Sequence, residues 1–235
     1  MAFEFRWGVV AVLALIAAAT PPALVWTRAS VPQASVPQLR TAAFAGDEVS
    51  GDARRLATWI ALTNDHADTN FILVDKKFAR IHVFDGEARL LGSSPVLLGG
   101  TPGDDSVPGI GNRPIAQVLP EERTTPAGRF VAERGRNARG EDVVWVSYED
   151  ALSMHRVLTT NADERRLERL ATPTPDDNRI SYGCINVPVD FYEVSVRPAF
   201  ATQRAAVYIL PEVKSLEEVF GISPQLKMAG SEPGQ

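Results

Sequence analysis

Apolar positions change their spacing along this chain, and each change marks an element. From Trp7 to Trp26 they run nearly unbroken behind Arg6, interrupted only by Thr20-Pro21-Pro22. The first part, to Ala19, has the length of a signal-peptide core, and the full 20 residues are enough to span a bilayer. Residues 1–30 therefore read as a signal peptide or an N-terminal membrane anchor. Ala17-x-Ala19 followed by Thr20-Pro21 is a poor cleavage context. Residues 31–50, with Pro32, Pro37 and scattered Ser, Ala and Gln, read as a flexible linker. Helical spacing then appears in a lead-in over 51–66. Leu56, Ala57 and Ile60 share one face of a helix predicted from Asp52 to Thr63, capped by Ser50 or Asp52.

From Asn70 the period falls to two. Phe71–Val74 is a predicted strand, Lys76-Lys77 the turn, and Ala79–Phe84 its hairpin partner, closed by Asp85-Gly86. Leu90–Leu98 is a third strand. Gly99 to Glu122 is a loop rich in Gly, Pro and Asp, long enough to be a functional flap, and it has no phosphate-binding spacing. Further strands are expected at Phe130–Glu133, Val143–Tyr148 and Ala205–Leu210. Helices are expected from Asn161 to about Leu170, over Phe191–Phe200 and around Leu216–Phe220. Glu149 to Met154 is expected to be a bend that delivers His155. Short strands joined by tight turns predict a mainly β domain over 67–212 with peripheral helices, followed by a short helix and polar tail over 213–235.

Composition narrows the function classes. Hydrophobic residues make up 45% of the 235, enough for a real core. The net charge of −5 argues against general nucleic-acid binding, which needs a basic face. Residues 113–139 hold six Arg against three Glu, either a solvated loop face or a dock for carboxylates. One cysteine excludes an intrachain disulfide.

That cysteine is Cys184, in the stretch Arg179-Ile180-Ser181-Tyr182-Gly183-Cys184-Ile185-Asn186-Val187-Pro188. A lone cysteine is most often a small buried hydrophobe. Here the flanks are polar, and Gly183 allows a close backbone turn. Pro188 can open a helix, so the thiol is expected at a strand-to-helix junction, where helix dipole and free N–H groups favour the thiolate. A thiol of ordinary pKa also needs a base. Of the three histidines, His66 lies in a polar stretch and His82 is expected on a strand surface. His155, upstream of Cys184, is the candidate.

Ser181-Tyr182-Gly183-Cys184-Ile185-Asn186 resembles the Ser-His-Gly-Cys-aliphatic-Arg/Asn signature of the L,D-transpeptidase catalytic-domain family. Thr125-Pro126-Ala127-Gly128-Arg129-Phe130 is similar to that family's Thr-Pro-x-Gly-x-Phe turn, Phe71 to Gly99 resembles its opening strands, and His155 stands where it carries an upstream histidine. The resemblance covers about Asn70 to Pro211. It implies a sandwich- or barrel-like β domain in the periplasm or cell envelope. Cys184 would form a thioester with a peptidoglycan stem peptide and pass it to an amine or to water. His155 would be the general base, with Ser181, Tyr182 and Gly183 shaping the site and backbone N–H groups of Gly183 and Cys184 as oxyanion hole. Asn186, Arg179 and Arg156 are candidate substrate contacts. No metal or cofactor is called for. The chain departs from the family in three places: Tyr182 replaces a histidine, Arg156 follows His155, and a charged helix lengthens the His-to-Cys segment. Other readings are an L,D-carboxypeptidase or endopeptidase, a catalytically silent peptidoglycan-binding module, and a periplasmic redox sensor, which lacks a resolving cysteine.

Overall fold

Phe71–Asp75, the first strand (β1), is buried at every residue. Continuous burial means that both faces of the strand are covered. Phe71 and Leu73 belong to one apolar cluster with Leu56, Ile60 and Tyr208, and Ile72 and Val74 to another with Ile81, Ile185 and Val207. The computed structural model describes Ala42, Phe44, residues 49–202 and residues 204–222. The expected export segment at 1–30, most of the 31–50 linker and the tail beyond 222 lie outside the described residues. No described helix is long and apolar enough to cross a membrane.

The first cluster is closed by helix α1 (Gly51–Thr63), where Ser50 Oγ accepts the Ala53 N–H at 3.0 Å, as the cap pattern predicts. Its buried stripe is Ala53, Leu56, Ala57, Ile60 and Ala61. The strands after β1 are β2 (Arg80–Phe84), β3 (Leu90–Pro95), β4 (Leu98–Gly99), β5 (Gly128–Arg136), β6 (Asp142–Ser147), β7 (Leu152–Arg156), β8 (Arg179–Ser181), β9 (Ile185–Val187) and β10 (Ala205–Ile209). Eight of them form one sheet in the order β3-β2-β1-β10-β5-β6-β7-β9. Most neighbours are antiparallel, but β1 pairs with β10 and β7 with β9 in parallel. β4 and β8 form a separate parallel pair. The mainly β expectation holds, with a mixed sheet that tight turns alone do not predict.

Several local expectations change. The third strand divides after Pro95, because Leu98 and Gly99 pair with β8 instead of β2. The expected bend before His155 is a turn as far as Ala151, and from Leu152 the chain is strand β7, which carries that histidine in a ladder with Asn186. The helix expected from Asn161 is broken: Arg165 adopts a left-handed conformation (φ 48°), and α2 is only Arg166–Ala171. The helix expected over 191–200 begins at α3 (Val189–Phe191), passes through a π turn over Tyr192–Val196 and ends as α4 (Arg197–Ala199). The π turn precedes Pro198, which has no N–H for the α pattern. His82 is buried, not on the surface, with Nδ1 2.7 Å from Ser93 Oγ. His66 is buried too, its Nε2 3.0 Å from Gly86 O.

Lys76, expected in the turn after β1, is fully buried. Its Nζ donates to Gly103 O, to Asp104 Oδ1 at 2.7 Å and to Thr125 O at 2.9 Å. Asp104 in turn accepts the backbone N–H groups of Glu212, Val213 and Lys214 at 2.6–2.8 Å. Burial pushes its carboxyl up, but the Lys214 N–H, the Lys76 ammonium and the other two amides outweigh burial and hold it at about 2. Because this value lies below the ordinary 3.8, the group's contribution to stability is complete above pH 3.8 and is lost as pH falls through about 2. Urea titrations across that acid range should show the midpoint falling steeply for the parent. Asp104→Asn should be less stable at neutral pH and flatter across the acid range; an unchanged slope would move the acid sensitivity elsewhere.

Candidate active site

The cysteine turn joins β8 to β9, and its backbone is held from several sides. Gly100 N donates to Ser181 O at 2.9 Å. Ser181 Oγ donates to Cys184 O at 2.6 Å and accepts the Gly183 N–H at 3.1 Å. The fully buried Thr125 hydroxyl donates to Gly183 O at 2.7 Å and accepts Gly99 N at 2.9 Å. Gly183 has φ +125°, and an added Cβ would lie 2.9 Å from Thr124 O. Glycine is therefore required there both by conformation and by close approach. Gly99 is equally confined: a Cβ would meet Arg123 O at 2.3 Å.

The turn presents a half-buried Cys184 to β7. Ser153 and His155 are two apart in that strand, hence on one face. Ser153 Oγ lies 3.5 Å from Cys184 Sγ, and the thiol lies 3.5 Å from Ala151 O. The His155 imidazole lies close enough to the thiol for each group to shift the other's ionisation. Its Nδ1 is 2.8 Å from Arg156 O, an acceptor only. That carbonyl fixes the ring proton on Nδ1 and leaves the Nε2 lone pair for Cys184.

Electrostatics favour proton transfer between the two. Burial pushes the Cys184 thiol up, but the His155 hydrogen bond and charge, together with Ser153, bring it below its ordinary 9.0. Burial pushes His155 down, but the thiolate raises it above its ordinary 6.5, against a small opposing effect of Arg166. Both shifts act in the direction that favours a thiolate beside an imidazolium. The cause is not the expected one. Cys184 lies between two strands, and α3 begins only at Val189, beyond β9, so the thiol is not at the expected strand-to-helix junction.

The sequence-predicted residues divide into groups. Cys184 and His155 meet, and Ser181 and Gly183 build the turn. Gly183 is removed from the expected oxyanion pair, because its N–H is taken by Ser181 Oγ. Tyr182 is partly exposed beneath the Arg123 guanidinium, 3.9 Å from its ring centre. Asn186, expected to touch substrate, is buried at 1% exposure. Its Nδ2 donates to Cys184 O at 3.1 Å, and its Oδ1 accepts from Arg166, so it braces the turn from behind. Arg179 is turned away into Glu212 and Lys76 O. Arg156 lines a cavity of about 270 Å³ beside His155, Val143 and Leu158, but its guanidinium is bound to Glu193 and Asp142 O. Three of the six arginines of 113–139 are paired with carboxylates: Arg113 with Glu122, Arg129 with Asp65 and Arg134 with Asp142. Arg123 has no acidic partner among the described residues.

Three residues were not singled out for the site from sequence. Ser153 was legible only once β7 was known to be a strand, through its two-residue spacing from His155. Thr125 lay in a quoted motif without a role. Arg166 reaches the site from the charged insertion between β7 and β8. No group of three His, Cys, Asp or Glu among the described residues could hold a metal ion.

No family model matches this chain, and no curated protein matches it. Solved structures similar to it include an L,D-transpeptidase from Mycobacterium tuberculosis H37Rv, 13% identical over 60% of this chain and 57% of that one, with a TM-score of 0.37. Another is the helical cell shape determining protein Pgp2 from Campylobacter jejuni, 15% identical over 62% and 49%, with a TM-score of 0.40. A third is the catalytic domain of an L,D-transpeptidase from E. faecium, 14% identical over 61% and 98%, with a TM-score of 0.33. The match thus spans about half to three fifths of the two longer chains.

Thiol alkylation tests the pair directly. The parent rate should rise with pH at a value below the ordinary thiol value of 9.0. His155→Ala should move that rise toward 9.0 and slow alkylation at neutral pH, with the deficit shrinking as pH increases. Superimposable profiles would separate His155 from the thiol's reactivity.

Proposed function

We propose that the chain is a cysteine acyltransferase of the L,D-transpeptidase type acting on peptidoglycan stem peptides. One observation carries this reading: the sole thiol lies beside an imidazole that lowers its pKa and whose Nδ1 is fixed by a carbonyl, in a turn that tolerates little movement. In the first half-reaction Cys184 Sγ gives its proton to His155 Nε2 and attacks the carbonyl carbon of a stem peptide bond. The Cys184 N–H is the member of the expected oxyanion pair left to donate to the developing charge. Collapse breaks the C–N bond, and the leaving amine takes the proton from His155. In the second half an amine attacks the thioester, gives a proton to His155, and Cys184 leaves as thiolate. Water in place of the amine gives hydrolysis. Arg123, stacked on Tyr182 and without an acidic partner, is the cation available to a substrate carboxylate.

The same reading puts the domain outside the cytoplasm, in the periplasm or cell envelope, with residues 1–30 as signal peptide or inner-membrane anchor. Its motive is the apolar run behind Arg6. A reporter fused after Ser50 should be active only when exported; activity confined to the cytoplasm would overturn the placement.

Intact-mass analysis tests the chemistry. Incubation with a tetrapeptide stem or a carbapenem should add one acyl group to the parent and none to Cys184→Ala. His155→Ala should acylate about 10²–10⁴-fold more slowly near neutral pH. A folded parent that gains no mass, with a thiol that alkylates no faster than an ordinary cysteine, would favour a silent wall-binding module.

A further inference from the structure

We propose that a cleft between the start of β2 and the loop leading into β8 binds the carboxylate end of a short peptide. The cleft has a volume of about 390 Å³, within the range of small-ligand sites. Phe78, Leu170, Pro173 and Pro175 supply apolar wall, and Arg80 and Asn178 supply the polar groups. It shares no residue with the thiol site, so the inference does not rest on the enzymatic reading.

Both polar residues carry unsatisfied groups. Arg80 makes no side-chain hydrogen bond or ion pair with any described residue, and its Nε is buried without a partner. A cation held this way is poised for an anion, and the guanidinium fork matches a carboxylate. Asn178 is 2% exposed. Its Nδ2 donates to Val96 O at 2.9 Å, which fixes its Oδ1 as an acceptor, and that oxygen has no donor. A buried acceptor without a partner is costly, so the natural ligand brings an N–H or O–H. A bare carboxylate brings none. A phosphate would want more than one cation. The chemistry that meets both demands is a carboxylate whose α-carbon bears an amide N–H, the last residue of a peptide. The half-exposed Phe78 ring and the proline faces suit a small apolar side chain on that residue.

The test uses the full chain and four probes: N-acetyl-D-alanine, N-acetyl-L-alanine, N-acetylalanine methylamide and propionate. Calorimetric or NMR titration should show both N-acetylalanines binding. The methylamide lacks the carboxylate and propionate the N–H, so each should bind more weakly. Arg80→Met should weaken binding about 10–100-fold, the loss of a charged hydrogen-bonded pair. Phe78→Ala should weaken it less, and Cys184→Ala should leave it unchanged. Melting curves identify any variant that fails to fold, and Phe78→Ala, at an exposed position, keeps the test open if Arg80→Met does so. A preference for the D form points to a wall peptide as the source, and a preference for the L form to an ordinary peptide. No binding at millimolar probe, equal binding of propionate, undiminished binding by Arg80→Met, or loss on Cys184→Ala would each overturn the proposal.

Discussion

A buried ammonium group governs how this domain closes. Lys76 at the end of β1 has no solvent contact, and an uncompensated charge there would cost several kcal/mol. Compensation comes from segments far apart in sequence: Gly103, Asp104 and Thr125 from the long loop, with Glu212 beyond β10 3.6 Å away. Arg179 adds a bond to Lys76 O and an ion pair to Glu212. The loop between β4 and β5 is therefore tied to the two central strands at their ends. What reads as an irregular Gly/Pro stretch is fixed by one cation that must be satisfied.

The same network reaches the thiol. Thr125 accepts Lys76 through its carbonyl and holds Gly183 through its hydroxyl, so one residue connects the buried charge to the cysteine turn. On the opposite side Asn186, itself held by Arg166, donates to the Cys184 carbonyl. A turn held at both ends keeps Sγ within reach of His155 without a search over conformations, and such pre-organisation lowers an activation barrier. The lowered pKa of the thiol is a short-range effect of His155 and Ser153, both side chains from β7.

The charged insertion between β7 and β8 has two faces with different work. Arg166, at the start of α2, braces Asn186 near the site. Leu170, near its end, joins Leu97, Val157 and Ile180 in a small apolar cluster and lines the outer cleft. Six residues of helix thus connect the inner wall of the thiol site to the wall of a second cavity.

By itself the sequence determined the β hairpin of Phe71–Phe84, the capped first helix and the last core strand, and it singled out the thiol and the imidazole that the fold brings together. These are local facts: a period of two, a serine before an apolar stripe, a single thiol, and one histidine among three placed before it. Tertiary structure alone decided the parallel pairings of β1 with β10 and β7 with β9, since strands distant in sequence leave no mark of their partner in either segment. It also decided which polar residues turn inward. Lys76, His82, Asn178 and Asn186 look like surface positions one at a time, and each is buried because a partner from another segment satisfies part of its hydrogen bonding. Arg179 and Arg156 read as substrate contacts for the same reason: an arginine near a reactive cysteine looks available until its carboxylate is known. Burial of a polar group is a property of pairs brought together by the fold, and a single position in the sequence cannot encode it.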